Sequence, residues 1–282
     1  MAKFVPDIKS NRWVVIAPTR VSRPHDNPVM PAQSSCPFCP GNEGLNEEVF
    51  KLGSVRVIKN KYPITDFHEV IIHSPDHEKD IDELPAEQVE LILKTYRERF
   101  NYYRDLGTAR LQRYAQHCGQ VMIFNNHDIH AGASLKHPHS QLVVVPRQIN
   151  LDTMKKEPVQ NEVARTKHFV AYCPDFSQWP YEIWLAPNSI SNFGQITDEE
   201  ISDLAPLMQK ILGFICKKFA GEDDVPYNYY IYHGGDWYLR IIPRLVHRAG
   251  FELGTGLSVN IVDPVTAAGE FKLGLRNKRK SF

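Results

Sequence analysis

The segment HPHSQ at 137–141 runs directly into the apolar stretch LVVV at 142–145. Four consecutive apolar residues, three of them β-branched, indicate a buried strand. On an extended strand His137, His139 and Gln141 emerge on one face, because side chains alternate with a period of two. Keeping two imidazoles and an amide on a buried sheet is costly unless they are hydrogen-bonded, bound to a metal or reactive. The segment therefore predicts a functional site on a sheet. The alternative is a half-exposed strand whose polar residues face water.

Composition narrows the classes of protein to consider. Of 282 residues, 42% are hydrophobic and 23% are charged, which is typical of a globular protein. The 33 basic residues equal the 33 acidic ones, so neither nucleic acid nor an anionic membrane is an expected partner. No apolar run approaches the roughly 20 residues of a membrane span, and the N-terminus lacks the apolar stretch of a signal peptide. Five cysteines, an odd number, favour a reducing compartment, which we expect to be the cytoplasm.

Cys36 and Cys39 form a CxxC pair in a loop that is rich in proline and glycine. A thioredoxin-like redox pair would start a helix after a strand, and Pro40 and Gly41 argue against a helix there. A CxxC turn instead supplies two of the four ligands that a tetrahedral zinc ion needs. Since no second CxxC is present, the other ligands would be histidines, with His77 and one histidine of the HPH pair as candidates. The alternative is two reduced, buried cysteines.

Predicted elements occur in the same order in two halves of the chain. In the first half we predict strands at 11–18, 55–58, 68–72, 120–124 and 137–146, and a helix that begins at 84–87 after the third strand. In the second half we predict strands at 182–187, 229–232 and 237–243, and a helix that begins with a capping box at 197–200. Aligning Pro146 with Pro243 places Gly234, Asp236 and Tyr238 opposite the two histidines and the glutamine. We therefore expect the chemistry in the first half, with a connector at about 147–168.

The order and spacing of these motifs resemble the galactose-1-phosphate uridylyltransferase branch of the histidine triad superfamily. The resemblance runs through nearly the whole chain and is carried by RWV at 12–14, TRVSRP at 19–24, CPFCPGN at 36–42, NKYP at 60–63, HEV at 68–70, SPDH at 74–77, GAS at 132–134, HPHSQ at 137–141 and GFELGTG at 250–256. It implies an α+β fold in which two tandem histidine-triad-like αβ repeats share a mainly antiparallel sheet. Residues 1–165 would be the catalytic half with the zinc site. Residues 166–282 would be a degenerate half that binds substrate and takes part in a homodimer.

The resemblance also implies a covalent relay, in which UMP passes from UDP-glucose to a hexose 1-phosphate through a phosphohistidine. A relay of this kind divides one difficult transfer into two easier steps. His139 is the implied nucleophile, and Gln141 would donate to a non-bridging phosphoryl oxygen. Ser134 would contact the phosphate of the departing sugar. The expected substrates are thus a nucleotide sugar and a sugar 1-phosphate.

Five further residues are implied to bind substrate. Arg20 and Arg23 would offer forked donors to phosphate, and Asn126 would assist them. Asn60 and Tyr62 correspond to the stretch that lines the nucleoside pocket. The alternatives are solvated surface arginines and an asparagine that serves only a turn.

The same resemblance assigns Cys36, Cys39, His77 and His137 to one structural zinc ion per chain. Four protein ligands leave no coordination position for water, as in structural zinc sites. Such an ion would hold the CxxC loop against the catalytic strand and leave His139 facing the ligand.

Two departures from the family pattern bear on the substrate. Ser140 stands where the transferases acting on galactose usually carry glycine, whereas phosphorylases of ADP-glucose and diadenosine tetraphosphate tend to carry serine. The segment YLR at 238–240 lacks the histidines that bind a second metal in some transferases. UMP transfer is therefore the leading expectation. A nucleotide phosphorylase with inorganic phosphate as acceptor is the alternative, and a nucleotide-binding protein without turnover is the third.

Overall fold

The computed structural model describes residues 2–7, 12–18, 20, 36–109, 119–147, 149, 151, 154, 156, 159–221, 224–232 and 234–277. Arg23 lies outside the described residues. The strands are β1 Lys3–Asp7, β2 Arg12–Ile16, β3 Glu48–Leu52, β4 Val55–Lys59, β5 His68–Ile72, β6 Gly119–His127, β7 His139–Pro146, β8 Glu162–Arg165, β9 Phe169–Tyr172, β10 Ile183–Pro187, β11 Tyr227–Ile231 and β12 Leu239–Pro243. The helices are α1 Ala86–Ala109, α2 Asp198–Phe219, α3 Gly250–Thr255 and α4 Pro264–Asn277. None of these helices is long and apolar enough to cross a membrane.

Ten strands form one sheet in which every neighbouring pair is antiparallel. Outward from the central β6–β11 pair, the first half runs β7, β5, β4, β3 and the second half runs β12, β10, β9, β8. The two halves thus have the same strand order, which confirms the predicted α+β class with a mainly antiparallel sheet. The proposed boundary between 165 and 166 falls at the end of β8, which pairs with β9 in the second half of the sheet. β8 also lies inside the segment expected to be a connector.

Helices α1 and α2 cover one face of this sheet. The apolar residues that recur every three or four positions are buried in one core, and they are Val89, Ile92, Leu93, Tyr96 and Phe100 on α1 and Ile201, Leu204, Met208, Ile211 and Ile215 on α2. Leu142 and Val144 of β7 belong to the same core, so the even-numbered positions of β7 form what we call the helix face. The odd positions, His139, Gln141 and Val143, lie on the opposite side, which we call the open face.

A buried ion pair attaches α1 to β5. The guanidinium of Arg99 donates two hydrogen bonds to the Glu69 carboxylate, from Nε at 2.9 Å and from Nη2 at 2.6 Å. The hydroxyl of Tyr103 donates a third at 2.7 Å. The two charged side chains are 7% and 4% exposed, so water contributes little to solvating either of them. Each buried charge is therefore stabilised mainly by the opposite charge of its partner.

We predict that Arg99→Met lowers the free energy of unfolding by about 3–5 kcal/mol, because it leaves the Glu69 carboxylate buried without a counter-ion. Urea unfolding measures the change. The matched control is Arg97→Met, because Arg97 on the same helix pairs with the largely exposed Asp198. That variant should lose no more than about 1 kcal/mol. Equal losses in the two variants would contradict the importance of the buried pair.

Candidate functional site

A cavity of about 270 Å³ lies on the open face, over β5 and β7. Six of the residues that the sequence predicted for the site line it, and they are Arg20, Asn60, Tyr62, Ser134, His139 and Gln141. These residues are far apart in the chain, and the pairing of Val70 with Gln141 brings their segments together. The rest of the wall is mainly apolar and includes Phe38.

His139 is a neutral imidazole with a defined tautomer. Its Nδ1 lies 2.8 Å from the main-chain carbonyl oxygen of His137, which can only accept, so Nδ1 carries the proton and donates it. The second nitrogen, Nε2, is therefore unprotonated. Burial lowers the pKa of His139 to about 4, more than the hydrogen bond to His137 raises it. A neutral ring with a free Nε2 beside a cavity can act as a nucleophile or as a base.

Two hydrogen bonds fix the main chain at the start of β7. The amide nitrogen of Asn125 donates to the carbonyl of His139 at 2.8 Å, and the main-chain N–H of His73 donates to the carbonyl of Pro138 at 3.1 Å. The ring of Phe38 contacts the His139 ring edge-on, with centroids 5.2 Å apart. The imidazole is thus held from behind and from the side.

Four side chains next to this imidazole could hold a metal ion. Cys36, Cys39, His77 and His137 are all buried, and their ligand atoms lie within 4.8 Å of one another. Cys39 Sγ is 3.1 Å from Nδ1 of His77 and 3.4 Å from Nδ1 of His137. Burial, followed by the neighbouring Cys36, raises the pKa of the Cys39 thiol to about 11. Two thiols and two imidazoles in a dry site suit a divalent cation, which would stabilise the thiolate form.

The orientation of His137 suits this role. Its Nε2 donates to the main-chain carbonyl of Ser74 at 2.9 Å, which leaves Nδ1 free on the side of the cysteines. The main-chain carbonyl of His137 also accepts the hydrogen bond from Nδ1 of His139. One residue therefore belongs both to the candidate metal site and to the support of the imidazole.

Ser140 points away from the cavity, to the helix face. Its hydroxyl lies 2.7 Å from Nε2 of His73 and 3.0 Å from the hydroxyl of Tyr229, and it also contacts the hydroxyl of Tyr96. Ser140 itself has no exposed surface. A serine in this position cannot select a nucleobase by direct contact, so it carries no information of that kind about the substrate.

The network continues to a buried carboxylate. Asp80 lies 3.2 Å from Nδ1 of His73 and 2.8 Å from Nδ1 of His127, and it accepts a hydrogen bond from the Tyr227 hydroxyl at 2.8 Å. Burial alone would raise the pKa of Asp80, but the hydrogen bonds and charges of His127 and His73 hold it well below its usual range. Burial alone would lower the pKa of His127, but the hydrogen bond and the charge of Asp80 outweigh burial and raise this pKa. The two groups form an ion pair below β7 when His127 is protonated.

Three basic residues, Lys59, Lys61 and Arg20, line the cavity, although the whole chain has no net charge. Arg20 also donates from Nη1 to the carbonyl of Tyr62 at 2.6 Å. The Oδ1 of Asn60 accepts the main-chain N–H of Tyr62 at 2.7 Å. Asn60 therefore shapes a turn and lines the cavity at the same time.

Asn126 lies near the end of β6, and Ser134 lies in the connection 128–138 between β6 and β7. Ser134 lines the cavity. Asn126 donates to the carbonyl of Gly132 at 3.4 Å and accepts from the amide of Asn228 at 2.9 Å. Its contacts are with this connection and the second half, and it is not among the residues that line the cavity.

In the second half, a buried salt bridge occupies the open face. Nη2 of Arg240 donates to Glu182 at 2.8 Å, and the indole N–H of Trp184 donates to the same carboxylate at 2.8 Å. Arg240 lies in the same row of the sheet as Gln141, through the pairs Gln141–Phe124, Phe124–Tyr230 and Tyr230–Arg240. The matching region of the second half is thus packed with its own side chains.

Sequence reasoning does not identify three residues that contact the site. Phe38 is recognisable only as part of the CxxC loop and His68 only as part of a strand, and Asn125 falls one residue beyond the predicted strand at 120–124. His68 lies 3.0 Å from the Gln141 side chain. No motif indicates this contact, because it depends on the register between β5 and β7.

The chain is similar to proteins of known activity. The model of the DUF4931 N-terminal domain, a domain of unknown function, matches residues 18–147. ADP-glucose phosphorylase from Arabidopsis thaliana is 30% identical, and the alignment covers 93% of this chain and 90% of that protein. Galactose-1-phosphate uridylyltransferase from Thermotoga maritima is 23% identical, with 93% and 95% covered. The crystal structure of the Arabidopsis thaliana phosphorylase with bound ADP-glucose superposes with a TM-score of 0.71 at 27% identity, covering 96% of this chain and 99% of that one.

We predict that His127→Asn destabilises the protein in a pH-dependent way. Asparagine keeps a donor near the position of Nδ1 but carries no charge. The pKa of His127 in the folded protein is raised above its unfolded value of about 6.5. The charge of His127 therefore stabilises the folded state fully below about pH 6.5. The contribution is lost as the pH rises through the folded pKa. Urea unfolding of both proteins between pH 5.5 and pH 9 should show a difference in the free energy of unfolding that shrinks with pH. A constant or growing difference would contradict the ion pair.

Proposed function

Because the chain belongs to the family of ADP-glucose phosphorylase and the galactose-1-phosphate uridylyltransferases, we propose that it transfers a nucleoside monophosphate through a covalent phosphohistidine at His139. The observation that carries this proposal is the hydrogen bond from Nδ1 of His139 to the carbonyl of His137, at 2.8 Å. It leaves a neutral Nε2 on a buried ring beside a basic cavity. A nucleophile with this tautomer needs no separate base to remove a proton before it attacks phosphorus.

The reaction has two steps. In the first, Nε2 of His139 attacks the α-phosphorus of a nucleoside diphosphate sugar, the bond from that phosphorus to the bridging oxygen breaks, and the sugar 1-phosphate leaves. In the second, an oxygen of the acceptor phosphate attacks the same phosphorus, and the bond to Nε2 breaks. The free imidazole returns, and the product carries the nucleotidyl group.

The other residues of the cavity bind and stabilise charge. The amide of Gln141 donates to a non-bridging oxygen of the α-phosphate, where negative charge must be stabilised during the displacement. Ser134 donates to the phosphate that leaves with the sugar. Arg20, with Lys59 and Lys61, attracts and holds the phosphates. Asn60 and Tyr62 line the part of the cavity that we assign to the nucleoside.

We propose ADP-glucose as the donor and inorganic phosphate as the acceptor. The support is the 30% identity to ADP-glucose phosphorylase over 93% of this chain, against 23% for the bacterial uridylyltransferase. UMP transfer from UDP-glucose to a hexose 1-phosphate, the leading expectation from sequence, is the second candidate. It is favoured by the match to the uridylyltransferase over 93% of this chain and 95% of that protein. Ser140, which the family pattern associates with the phosphorylases, lies on the helix face and would act only indirectly.

We propose zinc as the ion of the candidate metal site, held by Cys36, Cys39, His77 and His137. Two thiolates and two imidazole nitrogens form a closed tetrahedral set, and such a set is structural. The ion would join the CxxC loop to the segment before β7. Phe38, on that loop, would then be held against the ring of His139.

A labelling experiment tests the covalent step. The protein is incubated with ADP-glucose or UDP-glucose that carries ³²P at the α-phosphate, denatured in alkali, and assayed for label that is released by acid. We expect acid-labile label from ADP-glucose and its discharge by inorganic phosphate. His139→Ala should show no label while retaining its metal. Label from UDP-glucose alone would replace the first candidate with the second. Label from neither would contradict nucleotidyl transfer, and label on the alanine variant would exclude His139.

We predict that His77→Ala loses both the metal and several kcal/mol of stability, because binding at such sites is coupled to folding. Elemental analysis and thermal unfolding measure the two effects. The matched control is Cys173→Ala, which removes a buried thiol distant from the cluster in sequence and should keep one ion per chain. A wild-type protein with well below one zinc per chain would contradict the assignment.

A further inference from the structure

His68 lies under the polar side chains of the cavity. It is on β5, is 2% exposed, and is next to the Val70–Gln141 pair on the open face. Its Nδ1 lies 2.9 Å from the main-chain N–H of Ile64, and its Nε2 lies 3.0 Å from Oε1 of Gln141. The ring thus connects the turn at 60–64 to the amide that we assign to the phosphoryl group.

The contact with Ile64 decides which nitrogen of His68 carries a proton. A main-chain N–H can only donate, so Nδ1 must accept and is unprotonated. The ring proton is then on Nε2. Nδ2 of Asn60, 3.1 Å from Nε2, cannot accept this proton in a hydrogen bond. Because Oδ1 of Asn60 accepts the N–H of Tyr62, the atom near His68 is the amide nitrogen, which is itself a donor. The acceptor of the Nε2 proton is the side-chain oxygen of Gln141.

This fixes the orientation of an amide that shape alone leaves undetermined. The oxygen and nitrogen of a glutamine are nearly equal in size, and only hydrogen bonds distinguish its two rotamers. With its oxygen held by His68, Gln141 directs its NH₂ group away from β5 and presents donors to the cavity. In the flipped rotamer, the oxygen would face a phosphate and repel it.

We propose that His68 is a positioning residue that holds the amide of Gln141 with its nitrogen toward the α-phosphate. The proposal rests on the proposed function, since it assigns that phosphate to the cavity. The chain of donors runs from the main chain of Ile64 to His68, from His68 to Gln141, and from Gln141 to the substrate. The turn that carries Asn60 and Tyr62 is thereby coupled to the reacting centre. Binding of the nucleoside and orientation of the amide depend on one ring.

Two substitutions test the contacts of the two ring nitrogens of His68 separately. In His68→Asn, the amide lies near the position of Nδ1 and can still accept from Ile64, but no donor reaches Gln141. In His68→Gln, the longer amide lies near the position of Nε2 and can donate to Gln141. His168→Asn, at a histidine of the second half, is the matched control. Metal content and thermal unfolding are measured for every variant.

The readout is the single-turnover rate of labelling of His139 by α-³²P nucleotide sugar, with its dependence on substrate concentration. A lost oxyanion-type donor slows a reaction by about 10²–10³-fold, so we expect a decrease of up to that size in His68→Asn. The maximal rate should fall more than the half-saturating concentration rises. His68→Gln should recover part of the rate, and the control should match the wild type.

A double substitution tests whether His68 acts through Gln141. If it does, His68→Asn combined with Gln141→Ala labels no more slowly than Gln141→Ala alone. Multiplied rate losses, or equal rates in His68→Asn and the wild type, would overturn the proposal. If His68→Asn does not fold, the test uses His68→Gln instead. The rate loss of His68→Gln must then also be non-additive with that of Gln141→Ala in the double variant. Absence of label on the wild type with either nucleotide sugar would instead overturn the proposed function.

Discussion

The hydrogen bond from Nδ1 of His139 to the carbonyl of His137 is the contact on which the rest of the site depends. It fixes the tautomer, leaves Nε2 free and sets the plane of the ring. The carbonyl can do this only if residue 137 is itself immobile, and its side chain is held by Ser74 and belongs to the buried cysteine–histidine cluster. A structural ion at this cluster would therefore act on the proposed nucleophile through one main-chain group, without touching the substrate.

The two faces of β7 have different tasks. On the open face, His139 and Gln141 line the cavity. Hydrogen bonds orient the imidazole of His139 and the amide of Gln141. On the helix face, Ser140 is bound by His73 and two tyrosines, next to the ion pair of Asp80 and His127. A buried polar network of this kind is stable only when all its members are satisfied, so it holds the strand in one position. Rigidity below the strand allows a precise arrangement above it.

The duplicated strand order places two similar halves around the β6–β11 pair, and the cavity of about 270 Å³ lies in the first half. In the other half, Arg240, Glu182 and Trp184 fill the corresponding face with a buried ion pair and aromatic packing. Such a pair is costly to bury and is retained where its geometry satisfies both partners. Through Asn228, the second half contacts Asn126 near the end of β6 and the carbonyl of Ala131 in the connection to β7.

The sequence by itself determined the periodic features of this protein. Apolar residues at helical spacing predicted α1 and α2, the run at 142–145 predicted β7, and CxxC with SPDH and HPH predicted the four clustered ligands, because these signals are local or carried by family motifs. The strands β1, β3, β8 and β9 and the helices α3 and α4 were not predicted. These strands and α3 have only four to six residues each, too few for a clear periodic pattern. Alternation along β7 already placed Ser140 opposite His139 and Gln141, but only the tertiary structure decided that the helices cover the side of Ser140 and that His68 reaches Gln141. The second contact depends on strand register, and register is set by pairing between segments about 70 residues apart.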